Sequence, residues 1–212
     1  MVKILKYFCT AFLILCSGGL SLYSQNRLDG FFGLIDSSCA SFKCTYSLVP
    51  SKNSAMSRVG TVTGSASVCI QGEAYVFDGD GLVIKSDGKE VCVIDSNAKE
   101  AVLESVPEDL SEADFLQNPA LLICGLKDNF RLKRSSAEEF VLEPVVDCGI
   151  VECRLLFSAN VQGPSSASFK LSDGGVLEVK MTDYAFHPEM SSDYFIQDQS
   201  SFDSDWILTD LR

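Results

Sequence analysis

Four turn signals decide what this chain can fold into. Gln71-Gly72, Asp78-Gly79-Asp80-Gly81, Ser86-Asp87-Gly88-Lys89 and, far downstream, Ser172-Asp173-Gly174-Gly175 bring together residues that accept a left-handed backbone or hydrogen-bond their own main chain. The runs between them are too short for helices. Residues 42–48 (Phe-Lys-Cys-Thr-Tyr-Ser-Leu) alternate strictly, with apolar side chains at the even positions. Residues 61–70 alternate too, with Gly64, Ala66, Val68 and Ile70 on one side and Thr63, Ser65 and Ser67 on the other. A period of two puts one set of side chains on each face of a strand. Strands at 73–77, 82–85, 90–95 and 99–106 continue the series, so the first half reads as an antiparallel meander.

Two further stretches are helical in pattern. Leu28, Phe31, Phe32, Leu34 and Ile35 recur at helical spacing within 26–40. Past Pro107, Glu108 and Asp109 suit a first helical turn, and short helices are expected at about 108–116 and 118–126. Strands resume at about 128–134, 139–145, 151–160, 167–172 and 175–182. The last 30 residues are aromatic and acidic, with Tyr194, Phe195, Phe202 and Trp206. About ten short strands with a few helices imply a mainly β domain: one large, curved, open antiparallel sheet, a half-barrel with helices on its concave face. A closed β-sandwich has the same periodicity and is the alternative.

The first residues read as an export signal. Lys3 and Lys6 precede an uncharged run from Tyr7 to Leu15, then small or neutral residues to Ser24. That apolar run is about half the ~20 residues a transmembrane helix requires. Residues 1–24 are therefore expected to be a signal peptide and 25–212 a single domain, placing the mature protein in the periplasm. Bulky Leu15 argues against lipid attachment at Cys16. Loss of both leader lysines leaves 15 basic against 29 acidic residues, a formal charge of −14. Such a surface repels phosphate, and no basic stripe is present to bind nucleic acid.

The mature chain has seven cysteines: Cys39, Cys44, Cys69, Cys92, Cys124, Cys148 and Cys153. Seven cannot all pair within one chain. Several lie in apolar runs, as in Val68-Cys69-Ile70 and Val91-Cys92-Val93, where a thiol behaves as a small buried hydrophobe. Mostly reduced core cysteines are expected, with Cys39–Cys44 and Cys148–Cys153 as the two pairs near enough in sequence for a bridge. Catalytic chemistry lacks parts. There is one histidine, His187, followed by Pro188; there is no Gly-x-Ser-x-Gly and no Cys-x-x-Cys. The Asp78 to Gly81 stretch starts like a calcium loop, but Lys89 stands where the bidentate Glu belongs. No metal, no cofactor and no enzymatic activity are expected.

Laid out in this order, the chain resembles the outer-membrane lipoprotein carrier family, LolA and its relative LolB, as a divergent member. The resemblance rests on the block from Gly72 to Asp95 with its Ser86-Asp87-Gly88-Lys89-Glu90-Val91 unit, and on Asn118-Pro119-Ala120-Leu121-Leu122. Leu142-Glu143-Pro144, Ser172-Asp173-Gly174-Gly175 and the final Thr209-Asp210-Leu211-Arg212 extend it over nearly the whole mature chain. It implies a half-barrel lidded by helices that holds lipoprotein acyl chains in transit to the outer membrane. The implied partners are acylated lipoproteins, an inner-membrane lipoprotein-releasing transporter and an outer-membrane acceptor. Tyr75-Val76-Phe77 lacks the arginine that the family often carries there, and Cys92 stands in place of a tryptophan. Candidate groove-lining residues are Phe42, Tyr46, Leu48, Val68, Ile70, Leu110, Phe115, Leu122, Leu155 and Phe157. The competing functions are a lipid- or lipoprotein-sensing regulator on the same half-barrel and a secreted β-domain with a filled core.

Overall fold

In the computed structural model, residues 27–52, 60–106, 123, 125–159 and 161–212 are described. They begin with helix α1 (27–37) and strand β1 (Cys39–Val49). Five strands follow as a meander: β2 (Val62–Gln71), β3 (Ala74–Gly79), β4 (Leu82–Ser86), β5 (Glu90–Asp95) and β6 (Glu100–Ser105). A one-turn helix, α2 (Leu126–Asn129), then leads into β7 (Phe130–Ser135), β8 (Glu139–Pro144), β9 (Ile150–Leu156), β10 (Ser166–Leu171) and β11 (Val176–His187). The tail holds two short 3-10 turns, η1 (Ser192–Tyr194) and η2 (Gln199–Ser201), and strand β12 (Ile207–Asp210).

All twelve strands form one open sheet in the order β12-β6-β5-β4-β3-β2-β1-β11-β10-β9-β8-β7. Its two ends are not paired with each other, which sets it apart from a closed sandwich. Every pair is antiparallel except β12 with β6, which is parallel. The turns follow their chemistry. Between β3 and β4, Asp80 (φ 56°) and Gly81 (φ 82°) are both left-handed, as a two-residue hairpin turn of the inverse type requires. Between β4 and β5, Asp87 accepts the amides of Lys89 and Glu90, both at 2.9 Å.

The inner face carries the main core. Along β1 it is formed by Ala40, Phe42, Cys44 and Leu48, and along β2 by Ala66, Val68 and Ile70. Over it lies α1, whose Leu28, Phe31 and Ile35 are buried. Phe31 meets Phe157 edge-on at 5.9 Å, and Phe157 meets Phe140 at 5.1 Å. Gly64 sits opposite Tyr46, whose ring occupies the space a Cβ at 64 would need.

The outer face is divided. Over β7 to β10 it is a charged ladder: Arg131 pairs with Glu143 and Arg154 with Glu152, each at 2.8 Å, while Arg134 reaches Glu139 at 3.6 Å. Over β3 to β6, and at the Cys39 and Cys69 ends of β1 and β2, the outer face is largely apolar and is covered by the tail; the rest of β1 and β2 turns Lys43, Thr45, Ser65 and Ser67 outward. Phe195 packs on Cys39, Cys69, Ala74 and Val76, while Phe202 and Trp206 pack on Val83, Cys92, Ile94, Ala101 and Leu103. The sequence pattern gives this tail no place in the sheet. In the structure it straps the outer face and adds a parallel edge strand.

The cysteines also depart from expectation. Cys39 and Cys69 form a disulfide with a Cα separation of 6.5 Å, while Cys44, Cys92, Cys148 and Cys153 are free and buried. Neither short-range pair is bridged. Cys39 and Cys44 lie five residues apart on one strand and so face opposite sides of it, whereas Cys39 and Cys69 share the outer face of neighbouring strands. Cys124 lies outside the described residues, as do the expected helices at 108–116 and nearly all of 118–126.

Closing a loop with a sequence separation of 30 restricts the unfolded chain by about 3–4 kcal/mol in the chain-entropy account. The Cys39→Ala, Cys69→Ala double variant should lose roughly that much in urea unfolding, and peptide mapping without reductant should recover the 39–69 link. The tail makes a separate prediction. Trp206 is the single tryptophan, so its emission reports the strap: Phe202→Ala should shift it to the red while the far-ultraviolet spectrum keeps its β signature.

Candidate functional site

The inner face is the site expected from the sequence, and the described candidates do gather there. Phe42, Leu48, Val68, Ile70, Leu155 and Phe157 are buried in one cluster, and half-buried Tyr46 packs against it. Leu110, Phe115 and Leu122 lie outside the described residues. The buried candidates belong to the same core cluster as Leu28, Phe31 and Ile35 of α1, and Phe157 meets Phe31 directly, so they are part of the floor on which the helix packs.

An accessible groove lies beside that floor, between α1 and the β7 end of the sheet. Its walls are Leu28 and Phe32 from α1, and Leu126, Phe130, Leu132 and Leu142 from α2, β7 and β8. Its volume is about 400 Å³, inside the roughly 300–1,000 Å³ range of ligand pockets. Charges stand only at the rim, where Asp29, Asp36 and Lys127 meet solvent. Lys127 Nζ donates to Asp36 Oδ2 at 2.5 Å, tying α2 to α1 across the mouth. The hydrogen bond to Asp36 raises the Lys127 ammonium above its ordinary range.

Local sequence builds this arrangement. Leu28 and Phe32 are four residues apart and lie on one face of α1. The C-terminal end of α1 is tied down by Ser37 and Ser38 hydroxyls donating to the carbonyls of Gly33 and Leu34, and by Gly72 N–H donating to Ile35 C=O at 3.0 Å. At the other end, the Arg27 guanidinium lies over the Phe157 ring at 5.1 Å and donates to Ser158 C=O. Of the groove walls, Leu28 and Phe32 were legible as an apolar helix stripe. Leu126, Phe130, Leu132 and Leu142 were not among the expected groove residues, because only the position of β7 at the sheet end turns its inner face into a wall.

Polar groups on the inner face are held neutral. Tyr184 is half-buried, donates to Pro164 C=O at 2.9 Å, and has its phenol pushed far up by burial and then by Cys44. Burial raises the Cys153 thiol well above its usual value, with Glu152 adding to it, and burial raises Cys44 as well. Thiols in that state are poor nucleophiles. Tyr46 donates to Asp80 at 2.9 Å; burial first, then this bond and the Asp80 charge, push its phenol up to about 12. On the outer face, exposed His187 sits 3.0 Å from Ser41 Oγ across β1 and β11. Among the described residues, no group of three His, Cys, Asp or Glu side chains is placed to hold a metal ion.

Comparison with solved structures gives relatives for the architecture. An uncharacterised conserved protein from Thermus thermophilus superposes with a TM-score of 0.51 at 11% identity, covering 88% of this chain and 98% of that one. The likeness is one of fold. A LolA superfamily protein from Nitrosomonas europaea is similar at a TM-score of 0.45 and 12% identity, over 82% of this chain and 97% of its own. A DUF1329 family protein from Desulfovibrio piger gives 0.46 and 9%, over 87% and 99%. No family model and no curated protein matches the sequence.

Two outcomes test this geometry. Phe140 is fully buried where α1 meets the sheet, so Phe140→Ala should cost about 3–5 kcal/mol in chemical denaturation. The fold favours the neutral Tyr46 phenol. Its contribution is intact below the ordinary tyrosine value near ~10 and is lost as the pH climbs through about 12. Phenolate absorbance should show one tyrosine titrating near 12, and Asp80→Asn should bring it down.

Proposed function

We propose that this chain is an exported, non-enzymatic carrier, a divergent relative of LolA and LolB, that shelters the acyl chains of lipoproteins on the inner face of its sheet. The observation that carries the reading is the groove of about 400 Å³ under the edge of α1, with six apolar walls and charges only at its mouth. An alkyl chain gains about 0.8 kcal/mol per buried methylene and asks for no specific partner atom. A site that is apolar within and ionic at the rim suits such a ligand, with its polar head left in water. The raised thiols and the lone Ser41–His187 contact supply no activated nucleophile for chemistry on the cargo. Acylated lipoproteins are the proposed cargo, received from an inner-membrane releasing transporter in the periplasm and passed to an outer-membrane acceptor.

Leu132 is half-buried in the groove wall. A fluorescent fatty-acyl probe should bind the mature protein, and Leu132→Asp should weaken it at least about tenfold with a near-native thermal midpoint, because a charge in a dry groove is expensive. Lys127→Ala should leave the midpoint nearly unchanged, since its ion pair is half-exposed, while speeding probe release. A wild-type protein that never binds the probe, or binding indifferent to Leu132→Asp, would overturn the proposal.

A further inference from the structure

The two edges of the sheet are built differently. At one end β7 displays Arg131, Lys133 and Arg134, all exposed, and charge of this kind keeps edges from pairing with other chains. At the other end β12 and the residue after it display aliphatic side chains: Ile207 is 60% exposed, Leu208 41% and Leu211 62%. Ile207 N–H donates to Lys99 C=O and Leu211 N–H to Leu103 C=O, each at 2.9 Å. In a parallel ladder the residues between, Leu208 and Asp210, turn their main-chain groups the other way. Among the described residues no strand pairs with that outer side.

The strand is held ready rather than loose. Trp206, just before it, is seated with Phe202 in the outer-face cluster. Just after it, Arg212 bonds Glu90 at 2.7 Å and Asp210 at 2.6 Å. Its surroundings are acidic. Glu100, Glu104 and Asp203 are exposed there, whereas the nearby cations Lys99 and Arg212 are engaged by Asp205, Asp210 and Glu90.

We propose that the outer edge of β12 is a strand-addition site for an extended segment of a partner protein in which apolar residues alternate with Lys or Arg. Main-chain bonds to Leu208 and Asp210 would supply the pairing, the exposed aliphatics would pack against the apolar positions, and the acidic rim selects the cations. A second copy is disfavoured as the occupant. Its β12 would bring the same acids, and its β7 cations are already paired with Glu139 and Glu143.

The probe is a labelled octapeptide of alternating Lys and Val with blocked ends, titrated into the mature protein by fluorescence anisotropy. Saturable binding that weakens with salt is expected, with slowed hydrogen exchange at the amides of Leu208 and Asp210. Leu208→Pro removes an outward donor and spares the bonds of Ile207 and Leu211, so it should weaken binding at least about tenfold. If Trp206 emission shows that this variant has lost the strap, the Glu100→Lys, Glu104→Lys double variant serves instead and should weaken binding about fivefold or more. No binding, binding unaffected by the informative variant, or an equal affinity for a peptide broken by a central Pro would overturn the proposal. So would concentration-dependent dimerisation without peptide that the same variant abolishes, which would assign the edge to a second copy.

Discussion

The pairing of β1 with β11 is the constraint on which the rest of the molecule depends. These are the two longest strands, and their ladder runs from Cys39–His187 to Val49–Val176 with one bulge. Each of the two meanders, β1 to β6 and β7 to β11, contributes an apolar inner face to one shared core. Zipped along this seam, they become one surface broad enough to bury α1. The seam joins residues more than a hundred positions apart, so the chain must close a long loop before any of the core is complete.

An open sheet brings two faces and two edges, and each is handled differently here. Part of the inner face is sealed by α1, with a groove left toward β7. The outer face is apolar where the tail covers it and ionic where it does not. One edge is guarded by arginine and lysine; the other is β12, whose outward main-chain groups no described strand pairs. The β7 edge displays Arg131, Lys133 and Arg134 on a chain whose formal charge is −12.

Much of this was legible in the sequence, because the hairpins are specified locally. Asp80-Gly81 and Asp87-Gly88 fix their turns by backbone conformation and side-chain bonding, which requires no knowledge of the fold. What depends on register was not legible. Cys39 and Cys69 are joined across a hairpin whose loop length hides the pairing, although both stand on the polar side of their strands beside Ser41 and Ser67, a sign that they share a face. The strap left a signal as well. Val91-Cys92-Val93-Ile94 is apolar at every position, as a strand covered on both faces should be; the cover, Phe202 and Trp206, lies more than a hundred residues downstream. The groove was missed in part for the same reason: Leu132 and Leu142 are ordinary strand residues until topology places them at the sheet's end.

The central claim is that the inner face receives acyl chains, and native mass spectrometry of protein expressed from the full sequence, residues 1–24 included, and purified without detergent addresses it directly. The account predicts a population heavier than the bare chain by the mass of an acylated species, released on mild activation and absent from a Leu132→Asp variant of equal stability. A spectrum holding the bare chain alone, under conditions where a known lipoprotein carrier keeps its cargo, would contradict it.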